Sequence, residues 1–394
     1  MIGFDEASRL LRESVRALPA ETVPLEEAAG RFLTEGLAAR FDAPRTDVSA
    51  MDGYAVRAGT LENGAPLKVL GQARPGMPFA CEIGTGEAVR IFTGAAIPKG
   101  ADCVVMQEYA RAEGDSVSIE EGHGPASHIR KAGSDFCEGD VLLHQGTRLT
   151  PRAMVAAAAA DRASIAVCIQ PRVAIIATGD ELVSPGEAHA TANAIPESAS
   201  HGVAALCEAI GGTVVLRLRG RDELGPLTDL ASEALAAADL VVVTGGASVG
   251  DHDLARPMFE ELGLKLVFAK VAIKPGKPVW LGKIGEKPVL GLPGNPTSAM
   301  VTARLFLHPL LAAMQGGDAA SHLEFLPMPC VAALPETGGR ETFIRATATP
   351  EGLVPAQNQE SGAQAPLAQS DWLIRRAAGS PETTPGELVR ALSF

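Results

Sequence analysis

The stretch Arg172-Val173-Ala174-Ile175-Ile176-Ala177-Thr178-Gly179-Asp180-Glu181-Leu182 is an apolar run that stops at a glycine and two acids. It reads as a strand that empties into a polar loop, and the same pattern returns downstream. Helical spacing over Ser198 to Ile210 is followed by a strand at Thr213 to Leu218. A helix at Glu223 to Ala237, a strand at Leu240 to Val243 and a helix at Leu254 to Leu262 continue the series. Alternating strand and helix predicts a doubly wound α/β domain with a parallel sheet.

Working outward, the unit ends with strands at Val279 to Gly282 and Pro288 to Gly291 and a helix from Thr297 to Met314, stopped at Gly316-Gly317. Beyond it lie proline, glycine and short strands at Cys330 to Leu334, Thr342 to Thr349, Trp372 to Arg376 and Glu387 to Leu392, which read as a small C-terminal β-barrel. Upstream, Asp5 to Leu18 and Leu25 to Ala39 read as two helices. Leu67 to Leu149 is a series of short β-like segments with a hairpin turn at Glu113-Gly114-Asp115, and Pro151 to Ala160 returns to helix, placed against the N-terminal helices. The expected fold class is multidomain α/β, with an elongated helical and β-rich N-terminal part. The expected domains are residues 1–46 with 141–170 as a discontinuous helical linker, 47–140 as an inserted β-rich domain, 171–319 as the α/β domain and 320–394 as the barrel.

In the 394 residues, 46% are hydrophobic and 21% charged, which excludes wholesale disorder. A net charge of −13 disfavours sequence-independent nucleic-acid binding. The six cysteines form no C-x-x-C pair, and no H-E-x-x-H helix occurs, so neither a zinc site nor a disulfide framework is spelled out. With Asp5 and Glu6 where a signal peptide carries bases, and no membrane-length apolar run, the expectation is a cytoplasmic protein without membrane attachment. Of nine lysines, six fall between Lys265 and Lys287, beside 25 arginines in the whole chain; a compact ammonium is wanted there.

Ligands in open α/β sheets bind outside the carboxyl ends of the strands, and three strand ends here run into glycine-bearing loops. The first carries Thr178, Gly179, Asp180 and Glu181, where acids can hold Mg²⁺ or a ligand hydroxyl. In the second, Thr244-Gly245-Gly246-Ala247-Ser248-Val249-Gly250-Asp251-His252-Asp253, backbone N–H groups and a hydroxyl suit an anion. The third, Gly291-Leu292-Pro293-Gly294-Asn295-Pro296-Thr297-Ser298, fixes the backbone with two prolines and opens a helix with hydroxyls. Any one alone is compatible with an ordinary βα turn; three converge on one crevice. Between them Lys270 and Lys274 can serve an oxyanion as point charges, whereas Lys265, Lys283 and Lys287 read as a solvated edge. In the β-rich region, Ser49 to Ala55 with Asp52, Ile91 to Ala95 with Thr93 and Gly94, and Ile129 to Asp135 with Arg130 look like binding loops.

S-A-M-D-G-Y-A at Ser49, F-T-G at Phe92, T-G-D-E-L at Thr178 and T-G-G-A-S-V-G at Thr244 occur in one chain with I-K-P-G-K-P at Ile273 and G-L-P-G-N-P at Gly291. In this order, over nearly the whole length, they resemble the molybdopterin molybdenumtransferases, the MoeA family, to which the gephyrin C-terminal region is related. The resemblance implies that the α/β domain binds molybdopterin. It implies an enzyme of molybdenum cofactor biosynthesis that takes adenylylated molybdopterin and molybdate, releases AMP and works as a Mg²⁺-dependent homodimer with a shared active site, molybdoenzymes being the acceptors. By the same resemblance Glu181, Asp222 and Asp253 form the acidic Mg²⁺ and substrate group, and Lys270 with Lys274 holds the anion. Asp52, Thr93, Arg130 and Asp135 come from the partner subunit. Thr178, Gly179, Asp180, Gly245, Gly246, Ser248, Gly250, Pro293, Gly294, Asn295 and Pro296 bind cofactor.

Two departures stand out. A family-type amide is replaced by Ala199 in Ile195-Pro196-Glu197-Ser198-Ala199-Ser200, so restoring it is expected to tighten ligand binding modestly. The serine-rich tail segment is replaced by Ser361-Gly362-Ala363-Gln364-Ala365-Pro366-Leu367. These motivate an alternative, a non-catalytic dimeric scaffold or carrier, and the α/β domain alone would also suit the sibling adenylylation chemistry.

Overall fold

The computed structural model describes residues 1–245 and 254–394. By internal contacts the chain divides into a larger unit, Met1–Glu35, Gln145–Pro151 and Ser164–Phe394, and a smaller one, Gly36–His144 and Arg152–Ala163.

In the larger unit β1 (Arg172–Thr178), β2 (Thr213–Gly220), β3 (Leu240–Thr244), β4 (Lys265–Ala269), β5 (Trp280–Ile284) and β6 (Lys287–Leu292) form one sheet in the order β2-β1-β3-β6-β5-β4. Strands β2, β1, β3 and β6 run parallel, whereas β5 is antiparallel to both its neighbours. The sheet is therefore mixed, not all-parallel. The cause is local: β5 and β6 are joined by a short turn around Gly285 at φ +58°, and a link that short can join only antiparallel strands.

Alternate residues of the central strands face two apolar layers. Val173 and Ile175 of β1 and Leu240 and Val242 of β3 pack with α1 (Phe4–Ser14), α2 (Ala199–Ala209), α4 (Pro296–Thr302) and α5 (His308–Met314). Ala174, Ile176, Val241 and Val243 pack with α3 (Leu224–Ala237) and with Met258 and Phe259. Fully burying a Val, Ile or Leu is worth about 1.5–3 kcal/mol, so strands without a polar face need both layers. Helices α4 and α5 are joined through a π-helical segment, Ala303–Leu307, into one helix of 19 residues whose most apolar window is 83% buried, as suits a core helix.

Several expectations are corrected. Leu25 to Ala39 is not a helix: it holds a 3-10 turn at Leu25–Glu27, Gly30 at φ +80° and a two-residue strand at Leu37–Ala38. Within that span Leu33 bridges Val167 and Leu37–Ala38 pairs antiparallel with Val141–Leu143, so tertiary pairing overrides local helical spacing. The helix predicted from Leu254 is the single turn Pro257–Glu260. Helix α1, with Phe4, Ala7, Ser8 and Leu11 buried, packs on β4 and α5, while most of Pro151–Ala159 belongs to the smaller unit.

The C-terminal residues add β7 (Leu326–Pro329), β8 (Glu341–Thr349), β9 (Gly352–Pro355), β10 (Trp372–Arg376) and β11 (Leu388–Ser393), ordered β8-β10-β11-β7 with β9 also on β8. A parallel bridge from Cys330 to Leu353 joins the end of β7 to β9. The outer side of β8 also takes Ile273–Lys274, a short strand from the α/β segment. Within the smaller unit a six-stranded sheet is built from Gly53–Val56, Leu67–Ala73, Glu87–Ile91, Cys103–Met106, Ala110–Glu113 and Ser116–Ile119.

His308 sits 4.9 Å from the ring of His322, with Nδ1 unbonded among the described residues. Burial first, then the charges of Arg304, His322 and Arg148, push its pKa down from 6.5 to about 3. Between those values the unfolded chain binds a proton the folded one refuses, so the contribution is complete above pH 6.5 and is lost as pH falls. His308→Leu is expected to flatten the fall of thermal midpoint between pH 7 and pH 5, read by thermal denaturation; an unchanged slope would contradict this assignment.

Candidate functional site

Backbone contact brings the strand ends together. At Gly245, φ +103°, an added Cβ would lie 2.4 Å from the Thr178 carbonyl oxygen and 2.7 Å from Thr178 Oγ1. At Gly294 it would lie 3.2 Å from Gly245 Cα. The ends of β1 and β3 and the loop after β6 therefore meet where no side chain separates them, and glycine is required at Gly245. Thr178 Oγ1 is buried there without a partner among the described residues. On the far side of β1, Gly179 N–H donates to the Gly220 carbonyl (3.3 Å) and Asp222 N–H to Asp180 Oδ1 (3.2 Å). The Glu181 carboxylate folds back over Gly179, where a Cβ would meet Oε2 at 2.8 Å.

Glu181 and Asp222 offer only hard oxygen donors, which fit Mg²⁺ in kind. No group of three His, Cys, Asp or Glu that could hold a metal ion occurs among the described residues. The third expected ligand, Asp253, lies outside them, as do Gly246, Ser248, Gly250 and His252.

Beside this junction opens a cleft of about 1070 Å³, lined by Lys274 to Pro278, Pro293, Asn295, Ser298, Arg340 and the loop Gln357 to Gly362. Three cations, Lys274, Lys277 and Arg340, face it against one acid, Glu360. Hydroxyls and amides fill the rest, so it suits an oxyanion. Gly276, φ +102°, lets the lysine loop lie against α4: a Cβ would fall 2.2 Å from Thr302 Cγ2. The loop after β6 and the start of α4 are tied to the tail, Asn295 Nδ2 donating to Ser361 Oγ (2.9 Å) and Thr297 Oγ1 to the Ala363 carbonyl (3.0 Å).

Of the predicted residues, Lys274, Pro293 and Asn295 line the cleft, and Pro296 starts α4. Lys270 does not line it: at φ +62° its backbone is tied to Ile2 and Val279. The two lysines part because Lys274 joins the C-terminal sheet through Ile273–Lys274, while Lys270 stays at the end of β4. Lys277 and Arg340 were missed, and Ser361 stood only in the quoted tail segment without a site role. Lys277 stood inside the quoted I-K-P-G-K-P motif; Arg340 carries no local signal, since only tertiary pairing brings the tail to the lysine loop.

In the smaller unit Asp52 Oδ1 accepts the Thr93 N–H (2.7 Å) and hydroxyl (2.8 Å), beside Gly94 at φ +82°. These bonds, aided by the Arg90 charge, hold the Asp52 carboxyl below the usual carboxylate range. Arg90 lies 5.0 Å over the Phe92 ring and 5.2 Å over Tyr54, stacking the sequence reading did not notice. Arg130 is brought near through Ile129–Arg130 pairing with Val48–Ser49, whose Ser49 carbonyl accepts the Gly94 N–H (2.8 Å). Asp135, exposed, is held by its N–H to Ala43 (3.0 Å).

The Ala199 expectation is corrected. Ala199 is only 6% exposed and belongs to the main core. The polar contacts at this helix start are made by Glu197, which accepts the Ser200 N–H (2.8 Å) and hydroxyl (2.5 Å), and by Arg217, which donates to Ser200 Oγ (3.0 Å).

Residues 2–160 match the family model described as the MoeA N-terminal region (domain I and II), and residues 174–313 that of the "Probable molybdopterin binding domain". A molybdopterin molybdenumtransferase of Haemophilus influenzae is 38% identical over 80% of this chain and 78% of its own length. One from Staphylococcus aureus is 32% identical over 98% and 94%. The crystal structure of the molybdopterin biosynthesis moeA protein of Pyrococcus horikoshii superposes with a TM-score of 0.86 at 29% identity, covering 100% of both chains.

An asparagine at Ala199 would bury an amide among apolar neighbours. Ala199→Asn is expected to lower stability by about 1–3 kcal/mol in urea unfolding, without a gain in ligand affinity. Gly276→Ala should cost a similar amount, about 1–3 kcal/mol, through its clash and positive φ. Wild-type stability in either variant would contradict the packing described.

Proposed function

The chain belongs to the MoeA family of molybdopterin molybdenumtransferases, and on that premise we propose that it acts in molybdenum cofactor biosynthesis, inserting molybdenum from molybdate into adenylylated molybdopterin with release of AMP. The observation that carries this is the cleft where Lys274, Lys277 and Arg340 meet the hydroxyls of Ser298 and Ser361. A doubly charged oxyanion and a pyrophosphate need cations or oriented N–H donors in a partly desolvated pocket, and a chain with net charge −13 must concentrate them locally.

In this reading the cleft holds molybdate. The junction of Thr178, Gly245 and Gly294 receives the adenylylated pterin, because only glycine-bearing backbone leaves room for close approach. Glu181 and Asp222, with Asp253 from the sequence, would hold Mg²⁺, which supplies charge neutralisation on the phosphates. Lys274, Lys277 and Arg340 orient the oxyanion and offset its charge. The active form is a homodimer in which Asp52, Thr93, Arg130 and Asp135 of one subunit complete the site of the other. The bound-down Asp52 stays a carboxylate at neutral pH and can orient a ligand donor. The setting is the cytoplasm, with molybdoenzymes as recipients. A carrier would not require a cleft with three cations, so the catalytic reading is favoured over the scaffold.

Lys274→Ala is expected to abolish molybdate-dependent AMP release while leaving the thermal midpoint within a few degrees of wild type, because an exposed lysine contributes little to stability. Turnover at the wild-type rate would remove Lys274 from the site. Asp52→Ala and Lys274→Ala, each inactive alone, should regain activity when mixed under conditions of subunit exchange. No recovery despite confirmed exchange would contradict the shared site.

A further inference from the structure

Arg345 lies on β8, 1% exposed, and does not line the cleft. No carboxylate pairs with it among the described residues. Its guanidinium donates instead to two carbonyls of the loop forming one cleft wall, Asn358 (2.9 Å) and Glu360 (3.2 Å), and to that of Ala363 (3.1 Å) just beyond it. The Gln359 side chain completes the anchor, accepting the Arg345 N–H (3.0 Å) and donating to the carbonyls of Arg345 (2.9 Å) and Ala356 (2.8 Å).

A trans peptide is planar, so the C=O of one residue and the N–H of the next point in opposite directions. Carbonyls 358 and 360 turn inward to Arg345; the N–H groups of Gln359 and Ser361 therefore point away from it, towards the side on which the loop lines the cleft. Neither N–H bonds to a protein group among the described residues. The wall opposite Lys274 and Lys277 thus carries unspent donors, and the buried cation beneath adds positive potential where water screens it little.

Resting on the reading of the cleft as an oxyanion site, we propose that Arg345 is a positioning residue that orients the Gln357 to Gly362 loop so that the backbone N–H groups of Gln359 and Ser361 donate to the bound oxyanion. Lysines supply charge without direction, whereas two oriented N–H groups favour an anion whose oxygens match their spacing.

The test is calorimetric titration of the full-length protein with sodium molybdate. Ser361→Pro deletes one N–H; Ser361→Ala keeps it and removes only the hydroxyl. Ser361→Pro is expected to weaken binding about tenfold and Ser361→Ala by no more than about threefold. Arg345→Lys, which keeps the charge but not the three-way fork, should raise KM for molybdate about tenfold with kcat at saturation within about twofold. If Lys274→Ala weakens molybdate binding while Ser361→Pro and Arg345→Lys bind as wild type, the loop proposal is overturned and the oxyanion reading stands. Equal losses in Ser361→Pro and Ser361→Ala would assign the effect to the hydroxyl and also overturn it. If the wild-type protein takes up no molybdate, the oxyanion reading fails and this proposal with it.

Discussion

Everything at the candidate site depends on the close approach of backbone at Gly245. Its α-carbon sits against Gly294 on one side and the Thr178 carbonyl on the other, leaving no room for a side chain. Strands buried on both faces can only present chemistry at their ends, so the ends must be brought together without intervening bulk. The apolar alternation of β1 and β3 fixes the strands between two helical layers, and the glycines let their terminal loops touch. Stability and site geometry are set by the same residues.

Charge is the second constraint. The acidic chain places Lys274 and Lys277 on a loop pinned to α4 by Gly276, and faces them with Arg340 and a tail loop of amides and hydroxyls. That wall exists because Ile273–Lys274 leaves the α/β sheet and pairs with Glu341–Thr342 on β8. One short parallel pairing thus joins the lysine loop to the C-terminal sheet and separates Lys274 from Lys270.

The sequence shows the alternation of strand and helix from Arg172, the glycine loops and the β-rich segment, because each rests on periodicity or on turn chemistry over a few residues. Antiparallel β5 was not legible: an isolated apolar run carries no direction, and only the tight Gly285 turn reveals it. The helix expected from Leu25 yielded to pairing of Leu33 with Val167 and of Leu37–Ala38 with Val141–Leu143, each more than a hundred positions away. At the site, lysine clustering pointed to Lys274, but Arg340 and Ser361 are far apart in sequence and meet only through the C-terminal sheet. At Ala199 a string of residues shows neither the side chain's burial in the core nor the bonding of Glu197 to Ser200 beside it.

The central claim is that the cleft between the lysine loop and the tail holds the metal oxyanion. Its most direct test is diffraction from crystals soaked in sodium molybdate, with data collected at the molybdenum absorption edge. The account predicts one anomalous peak within hydrogen-bond distance of Lys274, Lys277 or Arg340 and facing Ser361. A strong peak elsewhere on the chain, with the cleft free of anomalous density, would contradict it.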